Sequence, residues 1–439
     1  MQFGKHIEKG AWGLADKILP LIYGFGYVVF AIRSLPEVEF GNFVLLQEIF
    51  LIVSGLSYSF ALQPLLKYAS EENSDYSATI SVAIILNVVF IIIASILVIT
   101  FREPFSALLN APGLSHLTFF LPAMLLTAFI RSLGVILLQT KFLIKQIFWT
   151  DLIYFVGAPV MIYVYLQKGI FSSAEDLIVI NIATMLASSL VGLYLSRSMI
   201  SLTAKPNMIT IRKMWDYGKY SFGGSMSFFV YAKADTFILS AFTGPVQVAV
   251  YNSVKVFTRV YDVSSQVIQT FILPAVSKLS SQGLHEQLKA LIEKAIYFST
   301  ISLLPVFFLF LTTSPYFIDL LYHGKYHDSV VILQAFSVLT FLVPGTAVAA
   351  NALMGLGMAK KGFLIGLKVN LFSIIIYLVL TYIWGLYGIV VGYIMSSLVL
   401  FLLTMSGLNE SVPIRLSDLL KRDRDIINFI RQKMQTQNK

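Results

Sequence analysis

Along this chain, apolar residues run in stretches long enough to cross a bilayer as helices, which takes about 20 residues at a rise of about 1.5 Å each. The stretches fall near residues 10–32, 41–66, 78–100, 117–139, 147–167 and 175–196, and again near 217–242, 246–274, 290–313, 329–353, 361–383 and 386–408. This pattern predicts an all-α polytopic membrane protein of about twelve transmembrane helices. The connections are too short to hold an extramembrane domain. The first stretch is entered by the pair Asp16-Lys17 and no small-residue cleavage site follows, so it reads as a retained span rather than a signal peptide.

The longest and most basic connection, residues 197–216, lies at the midpoint. It predicts two six-helix lobes, residues 1–200 with spans 1–6 and residues 201–410 with spans 7–12. Residues 411–439 form a tail. There Leu416, Leu419, Leu420, Ile426, Ile427, Ile430 and Met434 recur at helical spacing among Lys and Arg, the pattern of an amphipathic helix on the inner leaflet.

The halves share a local signature. Pro36 opens a turn that leads into Gly41-Asn42-Phe43, and Pro245 opens one that leads into Ala249-Val250-Tyr251. Aligning the two aromatic residues sets an offset of 208 positions between the halves. Two lobes related by a pseudo-twofold axis, with the ligand at their interface, are a common transporter plan.

Basic residues orient the chain. With both ends cytoplasmic, the inner connections collect Lys67, Lys141, Lys145, Arg197, Arg212, Lys213, Lys278, Lys360 and Lys361 among others, while the outer ones hold only Arg33, Arg102, Lys168 and Lys325. Composition agrees, with 57% hydrophobic and only 13% charged residues, and a mean hydropathy of +0.78. The net charge of +9 is spread over connections instead of clustering on a water-facing domain, which argues against nucleic acid as a partner. Without cysteine there are no disulfides, thiolate metal sites or cysteine nucleophiles. The pair His323 and His327 on a candidate helical turn lacks a third ligand, so no metal site is assigned. No nucleotide-binding motif occurs, and no cofactor is implied beyond a coupling proton or sodium ion.

Charge inside the spans is the candidate chemistry, because an ionised group at mid-bilayer costs at least ~2.5 kcal/mol and must face protein or water. On span 8, Lys255, Arg259, Asp262, Gln266 and Gln269 step by four and three residues, which places them on one helical face. A structural ion-pair ladder is the alternative there, but two cations against one acid leave a positive surplus suited to an anionic ligand. The matching face of span 2 reads Gln47, Leu51, Ser54, Tyr58 and Ala61, polar but uncharged. Arg131 in span 4 and Lys233 in span 7 are further candidate substrate contacts. Lys233 and Asp235 point to nearly opposite faces, so one is expected to reach the cavity and the other to pair with a neighbouring helix. Asp16, on a stripe with Pro20, Tyr23 and Tyr27, is a candidate ion-coupling site beside a loosened helix, with Asp235 as a second. Asp151, near the inner end of span 5, reads as a cap or interface residue. No catalytic constellation appears, so the chain does not read as an enzyme.

Twelve spans in two lobes, the outer turns after spans 1 and 7, the basic middle connection and the lysine turn at Lys360-Lys361 resemble the Wzx-type polysaccharide or O-antigen flippases of the multidrug/oligosaccharidyl-lipid/polysaccharide (MOP) exporter superfamily. That resemblance implies two bundles in a V around a central cavity, in a bacterial inner membrane. It implies movement of an undecaprenyl-diphosphate-linked oligosaccharide from the cytoplasmic to the outer leaflet by alternating access, in lipopolysaccharide or related glycan synthesis. Membrane lipids and a glycan polymerase are the implied partners. Three alternatives remain: a lipid II flippase, though that relative has fourteen spans; a MATE-type drug/cation antiporter, which favours carboxylates; and, from another class, a membrane polysaccharide polymerase or ligase, which needs a larger outer loop.

Overall fold

The computed structural model describes residues 2–71, 75–200 and 206–414. Every regular element among them is helical. In the first half, α1 (Gln2–Tyr27) runs into a π-turn (Val28–Ile32). Next, α2 (Glu37–Ser57) passes through a second π-turn (Tyr58–Leu62) into α3 (Gln63–Ala69). Then come α4 (Tyr76–Thr100), the short α5 (Arg102–Leu108) and α6 (Pro112–Leu117), α7 (Leu121–Thr140), α8 (Ile144–Gln167) and α9 (Ala174–Ser196). The second half holds α10 (Met208–Thr243), then α11 (Pro245–Lys255), joined by a 3-10 turn (Val256–Thr258) to α12 (Arg259–Ser281). It continues with α13 (His285–Tyr322), α14 (Ser329–Phe336), α15 (Leu339–Gly355) and α16 (Ala359–Asn409).

All twelve expected segments are helical. Eight helices are long and apolar enough to cross a membrane, nine if α14 and α15, bent by 43°, are one span. One of the eight counts twice. At 51 residues, α16 would reach roughly 77 Å, far beyond the ~30 Å hydrocarbon core. It is broken at Gly385 (φ 55, ψ −126), and Lys361 Nζ meets the Gly407 carbonyl at 2.8 Å and Glu410 at 2.6 Å. It is a helical hairpin, spans 11 and 12. The helices that miss the apolar criterion are α10 and α11–α12, which carry Lys233, Asp235, Lys255, Arg259 and Asp262. Charge lowers their hydropathy without breaking their helices.

Helix α10 begins at Met208, so the middle connection is shorter than 197–216. Asn207 caps it, its side-chain oxygen accepting from Thr210 N at 2.7 Å. The predicted tail helix lies outside the described residues. The His323-x-x-x-His327 segment is not helical; His323 (φ 51) and Gly324 (φ 81) turn the chain instead.

Contacts group the chain into two compact units. The first runs to Ser253 and adds Leu321–Lys325; the second takes Val254–Leu320 and continues from Tyr326. Within the first, small residues and hydroxyls bring helices together, as membrane packing requires. A Cβ on Gly134 would lie 3.0 Å from the Gly192 backbone, and Ser189 Oγ donates to Thr127 O at 2.9 Å. Helix α10 lies along α2 and α3: Ser59 and Ser225 hydroxyls meet at 2.6 Å, Ser221 donates to Gln63, and Lys213 pairs with Glu71 at 3.0 Å. At the other end of this contact a Cβ on Gly41 would fall 1.9 Å from Pro245 O, so the two signature turns touch. In the second unit α12 buries Tyr261, Ile268, Ile272 and Val276. The Tyr261 hydroxyl bonds Thr340 Oγ1 at 3.0 Å, and Ser277 Oγ donates to Gly355 O at 3.1 Å.

Candidate functional site

Three groups of intramembrane charge emerge. The first joins α1, α7 and α8. Arg131 Nη2 lies 2.5 Å from Asp151 Oδ1, and the guanidinium sits 5.2 and 5.3 Å from the ring centres of Tyr154 and Phe155. With its carboxylate held by Arg131, Asp151 is neither a cap nor an interface residue. Helix α8 begins seven residues earlier, at Ile144, which carries Asp151 two turns into the protein. Nearby, Tyr23 donates to Asn181 Oδ1 at 2.9 Å and stacks on Tyr27 and Tyr154. Tyr23 and Tyr27 of the stripe read from span 1 thus share one interior with Tyr154 and Asn181.

The second group joins α2 and α10. Lys233 Nζ pairs with Glu48 Oε2 at 2.5 Å, and Glu48 is 7% exposed. Asp235, 2% exposed, accepts from Tyr251 Oη at 2.7 Å and Thr236 N at 2.8 Å. Lys233 and Asp235 do point apart, as the i, i+2 spacing required, but both meet neighbouring helices. The expected division into one cavity charge and one paired charge is not what forms.

Sequence reasoning missed Glu48. It is the sole carboxylate between Glu39 and Glu71, within the apolar run FVLLQEIFLIV. Attention to the Gln47 face, one residue away, hid it. The same geometry gives the repeat physical content. Tyr251 meets Asp235; 208 positions earlier, the ring centre of Phe43 lies 5.7 Å from that of Tyr27. One framework contact serves both halves, aromatic in the first and polar in the second.

The third group is on α12. Arg259, Asp262, Gln266 and Gln269 are exposed, on the face opposite Tyr261 and Ile268. Arg259 makes no ion pair among the described residues, so it is not a rung of an ion-pair ladder. Lys255 does not share this face in full. The 3-10 turn over Val256–Thr258 separates it from Arg259, and its tighter winding, three residues per turn, rotates Lys255 by roughly 60° from where a continuous α-helix would place it. Among the described residues no cluster of three or more His, Cys, Asp or Glu side chains is placed to hold a metal.

The family described as "Polysaccharide biosynthesis protein" matches residues 36–331. The chain belongs to that family. Among its relatives, the "Probable low-salt glycan biosynthesis flippase Agl15" of Haloferax volcanii is 23% identical over 411 residues, covering 90% of this chain and 82% of that protein. Two solved structures share the fold. The lipid II flippase MurJ in an inward closed conformation superposes with a TM-score of 0.68 at 17% identity, over 94% of this chain and 89% of MurJ. A multidrug resistance MATE transporter of the MOP superfamily in an inward-facing conformation gives 0.71 at 16% identity, over 91% of this chain and 99% of that one. This polysaccharide biosynthesis protein is thus an all-helical polytopic membrane protein with the fold of MurJ and of a MATE transporter, and these relatives are named as flippases and transporters.

Proposed function

We propose that this member of the polysaccharide biosynthesis family is a flippase for a lipid-linked oligosaccharide. It carries a glycan on a polyisoprenyl diphosphate, such as the undecaprenyl form, from the cytoplasmic to the outer leaflet by alternating access. The flippase name of the Haloferax volcanii relative supports the class of substrate. Its archaeal source leaves the membrane of residence open to either kind of cell. The observation that carries the reading is the exposed polar face of α12 with Arg259 left unpaired. A cation on a bilayer-spanning helix must face water or an anionic ligand, and a guanidinium matches phosphate in fork geometry. Lys255 and Asp262 flank it on the same unit, while Lys233 and Arg131, in the first unit, are held by Glu48 and Asp151. Asp16, one turn before Pro20 in α1, is the candidate coupling group. Asp235, enclosed by Tyr251 and Thr236, is the less accessible of the two aspartates.

Arg259→Ala with Lys255→Ala, in cells that depend on this chain for surface glycan, tests the assignment. Single repeat units on the cytoplasmic side are expected to accumulate. Single units outside would indicate a polymerase instead, and normal surface glycan would overturn the role of the α12 face. Asp16→Asn is expected to remove dependence on the proton or sodium gradient.

A further inference from the structure

On the first unit, α1 and α8 flank an apolar groove of about 640 Å³. Leu21, Phe25 and Val29 line it from one side and Val156, Val160 and Tyr163 from the other. The lining runs from Leu21 to Phe30, through the end of α1 and into its π-turn, roughly 15 Å, half of a ~30 Å hydrocarbon core. Apart from Tyr163 the lining side chains are wholly apolar, which suits hydrocarbon rather than a sugar.

One end of the groove is cationic. Lys17 precedes Leu21 and Phe25 at i, i+4 and i+8, hence on the lining face, and helical side chains lean toward the N-terminus, away from the groove floor. On α8, Lys145, Trp149, Leu152, Val156, Val160 and Tyr163 follow the same rule. Lys17 and Lys145 are both exposed and make no ion pair among the described residues. Lys145 lies 5.3 Å from the ring centre of Trp12, and Trp12 packs on Phe148 at 5.0 Å and Trp149 at 6.3 Å. Such an aromatic cluster belongs at a membrane–water interface, the depth of a lipid phosphate. Gly26 closes the helices together, since a Cβ there would fall 2.6 Å from Pro159 Cβ.

We infer that this groove holds the polyisoprenoid chain of the carried lipid, with Lys17 and Lys145 at its phosphate, an inference that rests on the flippase reading. A single groove with a cationic end matches one chain per phosphate group, whereas a diacyl phospholipid brings two. The occupied helix is also the one that carries Asp16, with Pro20 just before the lining and the π-turn forming its far end.

The purified full chain, in nanodiscs, is titrated with a labelled polyisoprenyl monophosphate. The parent prenol without phosphate and phosphatidylglycerol serve as competitors. Lys17→Gln with Lys145→Gln is expected to weaken the phosphate probe about tenfold while sparing the prenol. Val160→Trp, or Phe25→Trp from the other helix, fills the groove at an exposed position and is expected to weaken both. Binding unchanged by all of these variants, or phosphatidylglycerol displacing the probe mole for mole, overturns the inference. Glycan export by the wild-type chain separates the two ideas. Export intact with groove variants binding normally removes the groove assignment alone; no export and no polyisoprenyl phosphate binding removes both.

Discussion

The charges buried among α1, α2, α7, α8 and α10 and the charges along α12 obey one rule in opposite ways. In the first region each buried cation has met an acid: Arg131 has Asp151, and Lys233 has Glu48. On α12, Arg259 stands on an exposed face with Asp262, Gln266 and Gln269 and takes no acid among the described residues. An intramembrane charge is tolerated when protein neutralises it or when water reaches it. The first solution builds a framework. The second leaves a charge available to a ligand. Counting cations along a sequence mixes the two, and only the pairing tells them apart.

Removing one partner of a buried pair should produce the largest change. Glu48→Ala leaves Lys233 enclosed without its acid and is expected to cost about 3–5 kcal/mol, read as a lower melting temperature and poor yield in detergent. Glu48→Leu with Lys233→Met should recover most of that loss. A double variant as damaged as the single one would mean the pair is not the source of the effect. Tyr251→Phe comes next, because it turns the second repeat's contact into a copy of Phe43 and takes one donor from the enclosed Asp235. A loss of about 1.5–3 kcal/mol is expected in the same melt, and an unchanged melt would break the equivalence of the two contacts. Arg259→Ala should be smallest in stability, within about 0.5 kcal/mol as for an exposed position, yet lower export about tenfold. Arg259→Lys should restore part of the export, since it keeps charge and loses the fork. A large melting shift for Arg259→Ala would move it into the framework class.

The spans were legible because apolar length is a local property. Even the split of α16 could be read, since Gly385 falls in the gap between residues 383 and 386. Partners were not legible. Nothing near Arg131 in sequence names Asp151 twenty positions on, and Asp151 looked like a helix start because the apolar run begins just before it. Glu48 was overlooked because a search for surplus positive charge has no use for an isolated acid. The broken face of span 8 had no marker either. Val256-Phe257-Thr258 contains no glycine or proline, and the tight turn shows only in the backbone, where Arg259 N–H bonds the Val256 carbonyl three residues back. The repeat was faint in identity because the contact it preserves, Tyr27 with Phe43 and Asp235 with Tyr251, changed chemistry between halves.

The hairpin at Gly385 carries a consequence for how the chain is made. A Cβ on Gly388 would fall 1.9 Å from Leu380 O, so the two arms are pressed together immediately beyond a one-residue turn, and Tyr382, Trp384 and Tyr387 crowd its exposed tip. Such a turn supplies no slack for one arm to settle while the other waits in the ribosomal tunnel. Spans 11 and 12 are therefore expected to enter the bilayer as one hairpin rather than one after the other.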